Sequence, residues 1–198
     1  MNLKKEELEA LVSGLKRGDR KAAQKFFDYF FDRLYRYFYF RTGSCEEAED
    51  LTSQVFLKVF EAIRNYQERG IPFSAWVFRI AHNLLVDYYR RHHRAVESLE
   101  DLTLELEAGV LDIEERVLAS LTLEEIKEEI SSLTFDQQEV LVLRYLEELE
   151  IGEIAEAMSR NPGAVRALLR RALASLAKKI KKKIEGAVSN GERSRYLI

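Results

Sequence analysis

Apolar residues recur at helical spacing through the first 94 residues, and no strand-like alternation persists there. The spacing breaks at Gly18-Asp19, at Thr42-Gly43-Ser44 and in a loop from Gln67 to Phe73. Ser44 followed by Glu47 is typical of a capping box, and Ser74 has the character of an N-cap. The pattern therefore predicts four helices, at about 8–15, 22–40, 44–66 and 74–93.

Composition changes after residue 94. Residues 95–115 contain several Asp and Glu but no Lys or Arg, which is typical of an acidic tether between domains or of a merely solvated spacer. Helical spacing returns at 118–133, 135–146, 151–158 and 162–180, and the tail at 186–198 is expected to be disordered. We predict an all-α protein in which two small helical domains, 1–94 and 118–185, are joined by an acidic linker at 95–117.

The last two predicted helices are short and joined by a tight turn, as in a helix-turn-helix. The chain has a formal net charge of −3, yet no acidic residue occurs from Met158 to Lys183. Asn161 suits an N-cap and Pro162 suits the first helical turn. Arg166 and Arg170 fall on one face of the second helix. This face is either a DNA-reading surface, which we prefer, or a solvated basic face.

The fourth predicted helix carries a second basic face. Trp76, Arg79, Asn83 and Arg90 share one stripe, beside Tyr88, Tyr89 and further arginines. Aromatic rings interleaved with cations suit single-stranded or melted nucleic acid. Alternatively, Trp76 and the tyrosines belong to the core or its rim.

The third predicted helix has more apolar surface than one core contact requires. One stripe is complete by itself, and it consists of Ala48, Leu51, Val55, Val59 and Ile63. Phe56 and Phe60, with Leu57 nearby, form a second stripe turned about 100° from the first. The helix is either fully buried or presents a docking face to another protein.

Several classes of function find no support in the sequence. There is no Gly-rich phosphate loop and no Ser-His-Asp arrangement, so we do not expect an enzyme or a cofactor. A single cysteine and three histidines make a metal site improbable. No segment is typical of a signal peptide or a membrane span, and we expect a cytoplasmic protein without membrane insertion.

Three segments, taken in order, resemble bacterial sigma factors of the sigma-70 family, extracytoplasmic-function class. They are RGDRKAAQKFFDYFFDRLYRYFYFRTGSCEEAEDLTSQVFLKVFEAI, FSAWVFRIAHNLLVDYYRRHHR and LTFDQQEVLVLRYLEELEIGEIAEAMSRNPGAVRALLRRALASL. The resemblance implies an alternative sigma factor, a non-enzymatic subunit that lets core RNA polymerase recognise and melt promoters. A free-standing helix-turn-helix regulator that binds duplex DNA without polymerase is the alternative.

The resemblance also implies roles for residues. The first domain resembles sigma region 2, whose third helix would dock on the clamp helices of the largest polymerase subunit. The docking residues would be Glu49, Asp50, Ser53, Gln54, Phe56, Leu57 and Phe60. The fourth helix and the loop before it would bind and melt the −10 element. The −10 residues would be Glu68, Arg69, Gly70, Phe73, Trp76, Arg79, Asn83, Tyr88, Arg90 and Arg91.

The second domain resembles sigma region 4, which would read the −35 element and contact the flap of the second-largest polymerase subunit. Its DNA-binding residues would be Asn161, Ala164, Arg166, Ala167, Arg170 and Arg171. The linker would pass through the RNA-exit path, and an anti-sigma factor is an expected further partner. The chain departs from the family pattern at Ser53-Gln54, at Ser159-Arg160 in the turn, and in the recognition helix, where Leu168 could contact another protein.

Overall fold

The computed structural model describes residues 5–67, 72–92 and 128–189, and every described element is helical. The chain forms two compact units. The first unit contains residues 1–96 and 142–165, and the second contains residues 97–141 and 166–198. The linker predicted at 95–117 and the first part, 118–127, of the helix predicted at 118–133 lie outside the described residues.

Four α-helices open the first unit, and their bounds follow the local capping chemistry. They are α1 (Lys5–Lys16), α2 (Arg20–Thr42), α3 (Cys45–Ala62) and α4 (Phe73–His92). Asp19 caps α2 by accepting a hydrogen bond from the Lys21 amide, and Ser44 caps α3 by accepting one from the Glu47 amide. Gly43 ends α2 at φ 72°, a left-handed conformation that glycine adopts without the Cβ clash of other residues.

Two boundaries differ from the sequence prediction. α3 ends at Ala62 and a 3₁₀ turn, Ile63–Asn65, replaces the last helical turn. Ser74 is not an N-cap, because α4 already begins at Phe73 and the Pro72 carbonyl accepts the first helical hydrogen bond, from Trp76. Ser74 is instead buried inside the helix. The burial of Phe73 explains the shift, since its ring anchors the helix start in the core.

Aromatic rings fill the core of this unit where α2, α3 and α4 meet. Phe26 is fully buried, and its ring centroid lies 5.0 to 5.8 Å from those of Phe30, Phe56, Phe60 and Phe73. Tilted and edge-to-face pairs of this kind stabilise by about 0.5–1.5 kcal/mol each beyond their buried area. The cluster fixes α3 and α4 against α2.

The first unit also contains the short helices that follow residue 141. A π-helix, Val142–Leu146, packs on α2, and the helix that we number α6 (Ile151–Ala157) packs on α4. Glu150 and Glu153 form a reciprocal capping box at the start of α6. The helix predicted at 135–146 is therefore two elements, an α-helical segment followed by the π-turn.

The second unit contains α5 (Phe135–Leu141) and most of α7 (Pro162–Ser189), which begins in the first unit. Gln137 of α5 donates a 3.4 Å hydrogen bond to Ser175 of α7. Lys183 lies 3.2 Å from Glu129 and 3.4 Å from Glu128. The expected disorder from residue 186 is wrong for 186–189, because α7 continues to Ser189, and 190–198 lie outside the described residues.

Candidate polymerase and nucleic-acid interfaces

The core stripe of α3 is buried as predicted, and a second apolar surface lies beside it. Ala48, Leu51, Val55 and Val59 are almost completely excluded from solvent, whereas 63% of Leu57 and 43% of Phe60 is exposed. Phe56 does not share this exposure. Only 7% of it is accessible, because its ring packs on Phe26 at 5.1 Å. Its assignment to a docking face is corrected accordingly, and Phe56 is a core residue.

Phe27 of α2 extends this surface, and the sequence pattern did not single it out. It is 44% exposed, and its ring lies 5.1 Å from that of Phe56 and 4.9 Å from that of Phe31, on which it stacks. We call Phe27, Leu57 and Phe60 the docking patch. Aromatic residues surround α2 on all sides, so helical spacing alone could not separate the exposed rings from the buried ones.

Polar residues of α3 lie along the same helix as Leu57 and Phe60 of the docking patch. Glu49, Asp50 and Ser53 are exposed, and Gln54 is half-buried. The Gln54 side chain donates a 2.7 Å hydrogen bond to the Asp50 carboxylate one turn earlier. An apolar centre with a polar, solvent-accessible edge is the usual anatomy of a protein–protein interface.

The basic face of α4 is open to solvent in the described part of the chain. Arg79, Asn83, Arg90 and Arg91 are all exposed. Arg90 pairs with Asp87 at 3.0 Å, but both side chains are largely solvated, so this surface pair contributes little stability and can exchange for a phosphate. Glu68, Arg69 and Gly70 lie outside the described residues.

The aromatic residues near α4 divide between core and rim. Phe73 is 3% exposed and contacts Phe26, Phe30 and Tyr66, so it is not the loop residue that the sequence predicted. Trp76 is half-buried and stacks on Phe73 at 5.7 Å. The half-buried Tyr88 lies on the last turns of α4, 4.4 Å from the His92 ring. Trp76 and Tyr88 thus keep accessible surface near the exposed cations.

The first turns of α7 present the predicted basic face. The Asn161 side chain accepts a 2.8 Å hydrogen bond from the Ala164 amide, which confirms the N-cap. Arg166, Ala167 and Arg170 are exposed, and Arg171 is half-buried. Leu168 is only 5% exposed, so it packs in the interior and is not a surface for another protein.

The turn before α7 has one conformation that its sequence does not favour. Ser159 stands where the family pattern has glycine, and its φ is 54°. A side chain in this left-handed region costs about 1–2 kcal/mol, which is why glycine suits the position. The turn is held by a 2.8 Å backbone hydrogen bond from the Arg160 amide to the Ala155 carbonyl.

A buried ion pair within the first unit was not foreseen from the sequence. Arg33 Nε donates to Glu147 Oε2 at 3.0 Å, and Arg33 Nη2 donates to the Glu147 backbone carbonyl at 2.9 Å. Burial raises the pKa of the Glu147 carboxyl to about 7, although the charge of Arg33, its hydrogen bond and the charge of Arg36 act in the lowering direction. The partners lie 114 residues apart, so no local motif marks them.

The raised pKa of Glu147 predicts a pH-dependent stability. Below pH 4.5 the carboxyl is protonated in both the folded and the unfolded chain. As pH rises from about 4.5 towards 7, the unfolded chain releases the proton first, so the free energy of unfolding falls, by up to about 3 kcal/mol. Glu147→Gln removes this titration. Chemical denaturation of both proteins across pH 4.5–8 measures it, and a difference between the two that stays constant with pH would contradict the prediction.

Two models of known protein families match successive segments of the chain. A family model of Sigma-70 region 2 matches residues 26–95, and one of Sigma-70, region 4 matches residues 123–176. Within the described part of the chain, no helix is long and apolar enough to cross a bilayer.

Two similar proteins are named as ECF RNA polymerase sigma factors. The chain is 33% identical to the ECF RNA polymerase sigma factor BldN of Streptomyces coelicolor, over 85% of this chain and 64% of that protein. It is 29% identical to the ECF RNA polymerase sigma factor SigW of Bacillus subtilis, over 86% of this chain and 95% of that protein.

A solved structure shares the fold. The structure of CnrH in complex with the cytosolic domain of CnrY superposes with a TM-score of 0.67 at 19% identity, and the match covers 88% of this chain and 97% of that one. The chain therefore belongs to the sigma-70 family, as an extracytoplasmic-function sigma factor that acts with RNA polymerase.

Proposed function

We propose that three separate surfaces have different roles in transcription initiation. The docking patch on α2 and α3 binds the clamp helices of the largest polymerase subunit. The exposed face of α4, with the loop before it, binds and melts the −10 element, and the first turns of α7 read the −35 element. The chain itself catalyses no reaction, and it acts where the polymerase is, in the cytoplasm.

The observation that carries the docking role is the exposure of Leu57 and Phe60. α3 already buries a complete core stripe, and these two side chains keep 63% and 43% of their surface exposed beside it. Clustered exposed apolar residues of this kind mark interaction sites in soluble proteins. Because Phe27 adds a third apolar side chain, the patch suits a helical partner that can lay an apolar face against it.

The −10 role is supported by the composition of the α4 face. Arg79 and Asn83 are exposed one turn apart, where they can contact the phosphates and bases of one strand. The half-buried Trp76 and Tyr88 offer rings on which unstacked bases can pack, a contribution of about 1–3 kcal/mol per base. Phe73 takes a supporting role, since its buried ring holds Trp76 in position.

The −35 role leads to a prediction about Arg166 and Arg170. A recognition helix points its N-terminal residues at the bases, so we expect Arg166 to read a base edge and Arg170 to contact phosphate. Arg166→Ala is then expected to cost about 1–3 kcal/mol at one position of the element and to relax preference there. Arg170→Ala is expected to weaken binding on all sequences and to make the salt dependence shallower.

Selection from randomised −35 sequences with each variant measures this difference. Lys178, exposed about three turns beyond Arg166 on α7, supplies a matched control in Lys178→Ala. If Arg166→Ala and Arg170→Ala both return the wild-type motif, α7 does not set the specificity. The departures from the family pattern in this helix would then mean that other residues do.

An anti-sigma factor is a further proposed partner. The proposal is supported by the solved structure with a similar fold, in which CnrH is bound to the cytosolic domain of another protein. The docking patch is the surface that such a partner would cover in order to exclude polymerase. Competition between the two for the labelled chain would test this, and simultaneous binding would contradict it.

The alternative of a free-standing regulator differs in one measurable respect. Such a protein would bind duplex DNA specifically by itself, whereas a sigma factor gives specific promoter complexes together with core polymerase. Binding of promoter and scrambled DNA, with and without core polymerase, separates the two. Equal specificity in the absence of polymerase would support the regulator.

A further inference from the structure

Val86 is an apolar side chain on an otherwise polar face of α4. Arg79, Asn83, Val86 and Arg90 lie within about 60° of one another around the helix axis, and all four are exposed. Val86 is 38% exposed, whereas the other large apolar residues of α4 are buried or half-buried. The stripe of cations and amide on this helix therefore has one apolar member, which the sequence pattern did not single out.

An exposed valine is locally unfavourable in the middle of a helix. Its β-branched side chain lowers helix propensity relative to alanine, lysine or arginine, and no core contact offsets this at an exposed position. Residues that break such a local rule without a packing gain concentrate at functional sites. The same branching holds Val86 in essentially one side-chain rotamer, so its methyl groups are fixed before a partner binds.

The contacts of α4 on its inner side fix the direction in which Val86 points. Leu84 and Leu85, the residues just before it, are at most 5% exposed and pack in the core. One turn further on, the Tyr89 hydroxyl donates a hydrogen bond to the Arg41 carbonyl at the end of α2. Rotation of α4 to bury Val86 would break these contacts, so the valine remains on the exposed face.

The neighbours of Val86 on this face favour a nucleic acid as its partner. Cations such as Arg90 bind phosphates, and amides such as Asn83 bind base edges. The C5-methyl group of thymine is the apolar group that base edges present in the major groove, and apolar side chains contact it. Val86 lies about 4.5 Å further along the helix axis than Asn83, which is close to the step of about 3.4 Å between bases of one strand. The methyl group then belongs to a base beside the one that Asn83 contacts.

We propose that Val86 packs against the C5-methyl group of a thymine in the −10 element and sets the preference for thymine at that position. The inference rests on the proposed binding of the −10 element by α4, and it names a base that this face selects. The polar residues of the face, Arg79 and Asn83, position the strand, and Val86 adds an apolar contact. Burial of one methyl group corresponds to about fourfold in affinity.

Replacement of thymine by uracil tests this contact, because uracil lacks only the C5-methyl group. Each thymine of the −10 element, in a promoter selected with the wild-type chain, is replaced in turn. The dissociation constant is then measured for core polymerase carrying the complete chain. Uracil at one position is expected to weaken binding about fourfold. Val86→Ala should weaken binding of the thymine promoter by a similar factor and make that position indifferent to the methyl group.

Asn83→Ala is the matched control on the same face. It should weaken binding of the thymine and uracil promoters alike, so that the effect of uracil persists. Uracil effects of equal size in the wild-type chain and in Val86→Ala, at every position, would overturn the thymine contact. If Asn83→Ala still weakens binding in that case, the −10 role of α4 stands without it. Wild-type affinity in both variants would overturn the thymine contact and the −10 role together.

A contact of Val86 with polymerase is the competing outcome. Binding of the chain to core polymerase without DNA measures it, and Val86→Ala is expected to keep the wild-type affinity. Weaker binding in the absence of DNA would place Val86 in a protein interface and overturn the proposal. Urea denaturation should show equal or greater stability for Val86→Ala, because the side chain is exposed and alanine has the higher helix propensity.

Discussion

Replacement of both Leu57 and Phe60 by alanine is expected to weaken binding of core polymerase about 30-fold or more. A centrally placed aromatic or aliphatic anchor in an interface contributes about 2 kcal/mol or more, and 1.4 kcal/mol is a factor of ten. The free energy of unfolding should change less than in Phe56→Ala, because 63% of Leu57 and 43% of Phe60 is already exposed. Equilibrium binding of the labelled chain to core polymerase measures the first quantity and urea denaturation the second.

Phe56→Ala is the matched control on the same helix. Its ring is buried against Phe26 and Phe27, so its loss should cost about 3–5 kcal/mol of stability through the cavity that it leaves. Phe56 and Phe60 lie four residues apart on α3, yet replacement of Phe56 should lower mainly stability and replacement of Phe60 mainly polymerase binding. Wild-type polymerase affinity in the Leu57→Ala, Phe60→Ala protein would remove the docking patch from the interface, whatever its effect on stability.

Arg79→Ala and Asn83→Ala are expected to slow open-complex formation about tenfold or more while polymerase binding stays near the wild-type level. Both side chains are exposed on α4, so stability should change by no more than about 0.5 kcal/mol. Permanganate reactivity of the −10 thymines on a matched promoter reports melting. Arg64→Ala, an exposed arginine outside α4, is the control for the loss of one charge.

Phe73→Ala is expected to act through stability and not through a contact with DNA. Phe73→Ala should lower stability by about 3–5 kcal/mol, since its ring contacts Phe26, Phe30 and Tyr66 in the core. Any melting defect in this variant would then follow from loss of structure. Normal permanganate reactivity in Arg79→Ala and Asn83→Ala would exclude both residues from the melting role.

Local chemistry made most helices predictable. Asp19, Gly43 and Ser44 mark ends that depend only on neighbouring backbone groups, and the structure has caps at these positions. The core stripe of α3 was also predictable, because its apolar spacing repeats from Ala48 to Ile63 over about four turns. The family followed from three segments read in order, which the comparisons with region 2 and region 4 confirm.

The features that could not be predicted depend on distant contacts. Phe56 and Phe60 lie on the same side of α3, and only the position of α2 decides that the first is buried and the second exposed. Phe73 follows Pro72 in a stretch that reads as a loop, yet the aromatic cluster draws it into α4. The partnership of Arg33 with Glu147 needs the complete first unit, because nothing near either residue specifies the other.

The most direct test of the account is transcription in vitro from a promoter obtained by selection with this protein. Core polymerase is incubated with that template, with and without the chain, and the discrete transcripts are measured. The account predicts a transcript from a fixed start only when the chain is present, and its loss when Leu57 and Phe60 are both alanine. Specific initiation by core polymerase alone, or none in the presence of the folded wild-type chain, would contradict the central claim.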